Sequence, residues 1–460
     1  MEEKQVEVAA ATNHHKHKKD MRSLINLNLV ILFLFVLNGF AQTSDTDTST
    51  YKKRVLESIE VDFLASYYSQ DGDNAAVSGG IGTEELTDLT SAFVVSVPLN
   101  DDDVLTIDAG ISAYTSASSS NINPFDDGYA DPFVASSGAS SSDVWINANG
   151  NYSHSSDDRN QIVSGKLSIS SEYDYFSVGV GGSFTKLFNE KNTELSINAN
   201  IFIDTWKLIY PYELRPFLEG GAGLNDPLFT RNTITGNPNY QPLFSELNGK
   251  GRNSYAIGLG FSQILSKKLQ GTLSLDLIMQ TGLLSTPFQR VYFDDMEDSF
   301  IDNFHLADDV EQLPDKRIKT AIGGRLNYYI NEIFVVRTFY RYYMDDWGIT
   351  SQTASIELPI KIADKFTLYP SYRYYYQTAA DYFAPYEEHL STDKYYTSDY
   401  DLSKFSANQY GFGMSYTDVF TKSHVWKFGL KSIDLKYAHY SRDSGLTADM
   451  ITGGFKFVME

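Results

Sequence analysis

Charged residues recur at alternate positions along segments with a β-strand pattern, and their sign changes along the chain. On the polar face of the first nine predicted strands they are mostly acidic: Glu60, Asp62, Asp108, Glu194, Asp204 and Asp276. On the next four they are mostly basic: Lys319, Arg325, Arg337, Arg341 and Arg373. If these strands enclose a lumen, the separated charges would create a transverse field that orients dipolar or anionic solutes. The alternative is that the charges pair across a packed interior and seal it.

Further acidic residues lie in the segments between the predicted strands. Asp71 and Asp73 lie on either side of a glycine, and Asp126 and Asp127 form a second group. Carboxylates and carbonyl oxygens are the ligands that Ca²⁺ prefers, so these four residues are candidate calcium ligands. The first group lacks the remaining spacing of a known calcium loop. Solvated surface turns are the alternative interpretation.

The residue types for nucleophilic catalysis occur together once, at Ser153, His154 and Ser155. Neighbouring residues on a strand point to opposite faces, so His154 cannot easily activate either serine. The other histidines beyond the N-terminal leader lie in predicted loops, in a turn or near a strand end: His305, His389, His424 and His439. The sequence therefore predicts no enzymatic activity, no catalytic residues and no cofactor.

The elements that carry these charges are clearest between Tyr175 and Trp206. Apolar residues alternate there with small or polar ones on both sides of a polar turn at residues 189–192. A period of two on both sides of a turn predicts a long β-hairpin. Each strand has about 12 residues, which is closer to the roughly 9–11 residues of a bilayer-spanning strand than to the shorter strands of soluble sheets. Alternation alone also fits a soluble sandwich, whose apolar face would point into a core.

The connections distinguish these two folds. We count sixteen candidate strands from residue 54 onward, and every second connection is short: around Asn100, Asp158, Glu190, Lys267, Asn331, Asp364 and Thr421. The long connections all fall at the other end, including 70–85, 117–142, 207–253, 285–316 and 378–403. Such sorting is typical of outer-membrane barrels. The sequence thus predicts an all-β, antiparallel, up-and-down transmembrane β-barrel of about 16 strands over residues 54–460, with short periplasmic turns and long external loops.

Composition and the N-terminus favour the same class. The 460 residues carry 59 acidic and 37 basic side chains, a net charge of −22, which disfavours a nucleic-acid partner. There is no cysteine, so disulfides and zinc–thiolate sites are excluded. Residues 1–41 have the pattern of a leader plus a secretory signal with cleavage after Ala41, and residues 42–53 form a linker. No run of 20 apolar residues follows position 41.

Several segments resemble one protein family. They are residues 54–62 (RVLESIEVD), 79–84 (GGIGTE), 123–143 with its Asp131-Pro132 pair, and the turn at 155–160 (SSDDRN). In these segments the chain is similar to the bacterial domain of unknown function family numbered 3570. The resemblance implies an outer-membrane protein of Gram-negative bacteria with no assigned activity. It also implies a link to envelope redox proteins, which none of these residues tests.

The functional expectation follows from these patterns together. We expect an outer-membrane barrel that passes or binds a small solute at the cell surface. The alternative is a closed barrel that serves as a structural or docking component of an envelope complex, with the redox link that the resemblance suggests. The expected partners are outer-membrane lipid, the barrel assembly machinery, which would recognise the final strand with Phe455 and Phe457, and a small solute.

Overall fold

The computed structural model describes residues 54–115 and 143–459. Sixteen strands form the main sheet. They are β1 (Glu60–Asp71), β2 (Leu86–Pro98), β3 (Asp103–Tyr114), β4 (Asp143–Ser155), β5 (Gln161–Ser171), β6 (Tyr175–Phe188), β7 (Thr193–Trp206), β8 (Gly251–Ser266), β9 (Leu269–Gly282), β10 (Lys316–Tyr329), β11 (Val335–Asp345), β12 (Thr350–Glu357, continued by Ile360–Ala363), β13 (Phe366–Gln377), β14 (Phe405–Thr417), β15 (Phe428–Arg442) and β16 (Thr447–Met459). The predicted leader, signal and linker (1–53) and Asp126 and Asp127 lie outside the described residues.

Each strand pairs antiparallel with the next, and the last pairs with the first. Phe455 of β16 lies opposite Phe63 of β1, and Phe63 in turn lies opposite Phe93 of β2. A closed sheet leaves no unpaired edge, which is how a barrel satisfies the backbone polar groups of every strand. The predicted all-β antiparallel barrel of 16 strands is therefore confirmed.

One predicted strand is interrupted. The sequence pattern predicted a continuous strand over 348–362, but β12 stops at Glu357 and resumes at Ile360. Pro359 lies in the gap, and proline has no N–H to donate to the ladder. The register also shifts between Lys361 and Ala363 where the strand continues.

The alternation predicted from the sequence sorts the two faces of the wall. On β7, Ile201 and Ile203 are 41% and 58% exposed, whereas Asp204, the residue after Ile203, points to the other face and is 3% exposed. Leu167 on β5 and Ile257 on β8 continue the exposed apolar row around the barrel. Because side chains alternate along a strand, the apolar residues point outward and the small, polar and charged residues point inward.

The two ends of the barrel differ as predicted. Tight connections at 99–102, 189–192 and 267–268 lie at one end, and the long connections 207–250, 283–315 and 378–404 lie at the other. In the turn at 189–192, Asn189, Glu190 and Lys191 all have positive φ (50°, 55° and 68°), which reverses the chain within four residues. Within the described residues, no helix has the length and hydropathy needed to cross a membrane.

The long loops form a structure that we call the outer cap: residues 72–85, 207–250, 283–315 and 378–404. It contains the main apolar cluster of the described residues, in which Leu214, Leu306 and Val310 are at most 1% exposed. A three-stranded sheet joins Ile234–Gly236, Ser299–Ile301 and Phe304–His305. The buried core of the described chain thus lies largely in the cap, because the barrel wall turns its apolar side chains outward.

Candidate functional site

The basic residues predicted to face the lumen lie on neighbouring strands β10, β11 and β13. On β10, Ile318 and Ile322 are exposed outward, which places Lys319 and Arg325 on the inner face. On β11 the outward position is Tyr340, which places Arg337 and Arg341 inside. By the same alternation Arg373 of β13 faces inward, between the outward Tyr372 and Tyr374. We call this inner surface, from β10 to β13, the basic face.

The strand registers set the order of these cations along the barrel axis. Lys319 lies opposite Asp345 near the cap, Gly323 opposite Arg341 at mid-height, and Asn327 opposite Arg337 nearer the short turns. Arg373 of β13 lies opposite Ser355 of β12, close to the level of Arg341. The basic face therefore runs over most of the length of the barrel.

Some of these cations are neutralised by a neighbour. Arg337 forms a 2.8 Å ion pair with Glu357 on β12. Arg317, which the sequence interpretation did not include, binds Asp345 with Nε and Nη2 at 2.9 and 2.5 Å. The guanidinium of Arg325 lies 5.8 Å from the ring centre of Phe339.

Three cations differ from these. Lys319, Arg341 and Arg373 form no ion pair or side-chain hydrogen bond within the described part of the chain. Arg341 and Arg373 are also exposed although both face inward. Positive groups that are both accessible to water and without a partner can attract and bind an anion.

A cavity of ≈ 240 Å³ adjoins Arg341 and Arg373. Ser351 and Thr353 of β12 also line the cavity, with Thr353 opposite Arg341 and Ser351 nearer the cap, and Asp401 and Leu402 of the cap line its outer side. Two guanidinium groups and two hydroxyls offer hydrogen-bond donors to a carboxylate or phosphate oxygen, and guanidinium binds both groups in bidentate fashion.

The cap is anchored directly above this cavity. Gln377 at the end of β13 donates from Nε2 to the carbonyl oxygens of Asp401 (2.9 Å) and Ser403 (2.6 Å). Arg442 of β15 binds the Asp401 carboxylate at 2.6 Å. Burial raises the pKa of the neighbouring Asp399 to about 6. These contacts hold the loop 378–404 against the rim of the barrel.

The acidic residues predicted for the lumen lie on the inner face, and several have basic partners that the prediction left out. Glu60 binds Lys431 at 2.9 Å and Lys456 at 2.6 Å. Asp62 lies 3.6 Å from Lys456. These cations come from β16 and from the irregular part of β15, so the charge of the acidic side is partly neutralised there.

The remaining predicted acids fall into two groups. Asp204 binds Arg252 of the adjacent β8 at 2.8 Å, and Asp108 accepts a 3.4 Å hydrogen bond from Asn149. Glu194 and Asp276 form no ion pair within the described residues. These ion pairs of the barrel wall join residues on the same or nearby strands and do not cross the lumen.

The candidate calcium ligands were assigned from loop composition. Asp71 ends β1 and Asp73 follows in the loop, and both are exposed. Neither belongs to the group of potential metal ligands that the described residues bring together, which is Asp298, His305 and Glu387 in the cap. Calcium binding at Asp71 and Asp73 stays a prediction. The sequence could not indicate the cap group, because its members come from two loops and share no local spacing.

Comparison with known proteins gives a family and distant structural similarity. The family described as "Protein of unknown function (DUF3570)" matches residues 27–454, which confirms the resemblance found in the sequence. No curated protein matches the chain in sequence.

Several solved structures are similar to the barrel at low identity. A bacterial polysaccharide outer membrane secretin is 9% identical, with 87% of this chain and 98% of that chain covered and a TM-score of 0.42. A BenF-like porin from Pseudomonas fluorescens Pf-5 is 9% identical over the same shares, with a TM-score of 0.39. OpdK of Pseudomonas aeruginosa with vanillate is 8% identical, covers 87% and 98%, and has a TM-score of 0.36.

Proposed function

Because the chain belongs to the DUF3570 family, which has no assigned activity, we propose its function from its geometry: an outer-membrane β-barrel that binds and passes small anionic solutes along the basic face. The observation that carries this proposal is the state of Arg341 and Arg373. Both point inward, both are exposed and neither has a partner among the described residues.

Residence in an outer membrane is supported by the outer surface of the wall. The exposed apolar side chains on β5, β7 and β8 would cost free energy in water, at roughly 25 cal/mol per Å² of apolar surface. Acyl chains would cover them, and the closed sheet leaves no backbone edge in the lipid. The tight turns would then face the periplasm and the cap the exterior.

Solute selection follows from the order of charges along the basic face. An anion that passes the cap would first meet Lys319, then Arg341 and Arg373 with the hydroxyls of Ser351 and Thr353. Arg325 lies further toward the short turns. Successive weak sites of one sign favour passage, because each binds strongly enough to admit the ion and weakly enough to release it.

The test is ion selectivity in a planar bilayer. We expect the purified protein to conduct. In a KCl gradient, the sign of its reversal potential should show that Cl⁻ passes more readily than K⁺. The double variant Arg341→Gln/Arg373→Gln should shift that potential toward zero or toward cation selectivity, because it removes two positive charges from the lumen. The control Arg231→Gln removes one positive charge from an exposed position of the cap and should leave the potential unchanged.

Two results would overturn the proposal. One is a wild-type protein that folds and inserts but carries no current. The other is a selectivity that the double variant does not change. Absence of current would favour the closed barrel that docks other envelope proteins, and crosslinking in intact cells would then identify the partner.

A further inference from the structure

His305 of the cap has an unusual setting for a buried histidine. It ends the short strand Phe304–His305 and is 3% exposed. Its ring is stacked against both Tyr292 and Phe300, with centroid distances of 4.5 and 4.7 Å and interplanar angles of 28° and 25°. Two parallel aromatic neighbours fix the plane of the imidazole, so its two nitrogens point in set directions.

The two nitrogens have different surroundings. Nδ1 lies 2.6 Å from the hydroxyl of Tyr386. Nε2 is buried and has no hydrogen-bond partner among the described residues. A buried polar atom without a partner costs free energy, so a ligand at Nε2 would remove a penalty that the fold otherwise carries.

Two carboxylates border this ring. Asp298 Oδ1 lies 3.7 Å from Nε2, and Glu387 Oε1 lies 3.4 Å from Nδ1. One ligand atom of each of the three residues lies within 4.8 Å of the others. In a tetrahedral site with bonds of about 2.0–2.1 Å, neighbouring ligand atoms are about 3.3 Å apart. The Asp298–Nε2 distance needs a contraction of only a few tenths of an ångström.

The third ligand has room to move. The side chain of Glu387 is 40% exposed and that of Asp298 is 50% exposed. The Glu387 carboxylate lies on the Nδ1 side of the ring, so a metal at Nε2 requires a change of its side-chain rotamer. The anchored histidine and two adjustable carboxylates together form a partly preorganised site.

We propose that Asp298, His305 Nε2 and Glu387 bind a divalent transition-metal ion of the zinc class. Imidazole nitrogen with carboxylate oxygen is a ligand set that suits Zn²⁺, whereas Ca²⁺ prefers oxygen alone. In the tautomer that this site requires, Nδ1–H donates a hydrogen bond to the Tyr386 hydroxyl oxygen, which leaves the Nε2 lone pair free for the metal. A partner on the other ring nitrogen is the usual second contact of a metal-binding histidine.

The site would also link two loops of the cap. Asp298 and His305 belong to the loop 283–315, and Glu387 belongs to the loop 378–404 that covers the cavity at Arg341 and Arg373. A bound ion would therefore tie the loop over the solute cavity to the core of the cap. The metal site itself does not depend on the proposed passage of anions.

Zinc binding is tested on the full chain, stripped with a chelator and dialysed against micromolar Zn²⁺, with bound metal measured by mass spectrometry. We expect one tightly bound zinc per chain. Asp298→Asn/Glu387→Gln should lose that ion, and because both residues are partly exposed the cap should still fold. Tyr386→Phe, a change in the positioning residue, should weaken affinity by about 10- to 100-fold.

Glu388→Gln is the matched control, because it alters the exposed neighbour of Glu387 and should bind like wild type. The predicted cleavage after Ala41 would remove His14, His15 and His17, and a preparation that retains the leader carries them in every variant, so a difference between variants cannot arise from those histidines. No zinc on the wild-type protein would overturn the proposal. Equal binding by the double variant and the control would do the same, since the ion would then lie elsewhere.

Discussion

Glu311 is a buried carboxyl group in the cap. Its side chain is 2% exposed and accepts hydrogen bonds from the Thr397 hydroxyl (2.6 Å) and the Thr286 backbone N–H (2.7 Å). Burial nevertheless raises the pKa of Glu311 to about 8. Burial likewise raises the pKa of Asp308 to about 7. The cap therefore holds carboxyl groups that keep their protons near neutral pH.

A raised pKa gives the stability of the cap a definite dependence on pH. Between the unfolded pKa near 4.5 and the folded pKa near 8, the folded cap binds the proton more tightly than the unfolded chain does. The contribution of Glu311 to stability is therefore fully present below the unfolded pKa and is lost as pH rises toward the folded pKa. Glu311→Gln removes the titration and should stabilise the cap at pH 8.5 by on the order of a few kcal/mol, with little effect at pH 4.5.

Hydrogen exchange of cap amides at the two pH values would measure this effect, after correction for the intrinsic exchange rate. Glu219→Gln, an exposed glutamate of the same cap, is the control and should leave the difference unchanged. A Glu311→Gln cap that is less stable than wild type at both pH values would contradict the assignment of a protonated carboxyl.

On each strand of the barrel wall, the residue types differ between the inner and the outer face. Gly179 and Gly181 of β6 lie on its inner face, where a Cβ atom would collide with the side chains of Phe202 and Asn200 on β7. The outer positions of the same strands carry exposed Val178, Val180 and Ile201. Branched apolar side chains on the outer face fit a barrel in lipid, and the two glycines leave room for the larger inward side chains of β7.

Neighbouring positions on β7 offer a direct test of this orientation. Ile201→Arg places a charge on the outer face and should destabilise the folded barrel by about 2–4 kcal/mol if it lies near the bilayer midplane. Asn200→Arg makes a similar change on the inner face, where solvent can hydrate the charge, and should cost much less. Urea titration of each variant in lipid vesicles would measure both values, and equal losses would contradict the assigned faces.

For the whole molecule, the described residues form a barrel wall that turns most of its apolar side chains outward and a cap with a dense apolar core. The cap is joined by a buried ion pair between Arg290 and Glu213, which are 1% and 0% exposed. Arg290 Nε and Nη2 bind the two carboxylate oxygens at 2.6 and 3.1 Å, and Nη1 donates to the Val77 carbonyl at 2.9 Å. One side chain thus joins three of the four cap loops.

Breaking this pair should loosen the cap and leave the barrel intact. Arg290→Met leaves Glu213 buried without its partner, a loss that typically costs about 3–5 kcal/mol. Limited proteolysis should then cut the long loops, while circular dichroism of the barrel stays unchanged. The double variant Arg290→Met/Glu213→Leu removes both charges and should recover part of the protection, and a barrel that unfolds together with the cap would contradict this separation.

The sequence by itself determined the strands, their faces and the sorting of short and long connections. These properties are local: side chains alternate at every residue of an extended chain, so the inward positions of Arg341 and Arg373 followed from their neighbours alone. The even number of strands followed from counting the same pattern. The break of β12 at Pro359 was not predicted, because an alternating pattern does not fix where a ladder stops.

The tertiary structure decided which of these residues meet. Glu60 finds Lys431, 371 positions away, only because the barrel closes β16 onto β1. His305 meets Tyr386, 81 positions away, only because two external loops fold over one apolar core. Loops have no period from which their contacts could be read, and the pairing of distant charges depends on closure of the whole sheet. The predicted barrel was therefore available from the sequence, whereas the cap and the partners of its charges were not.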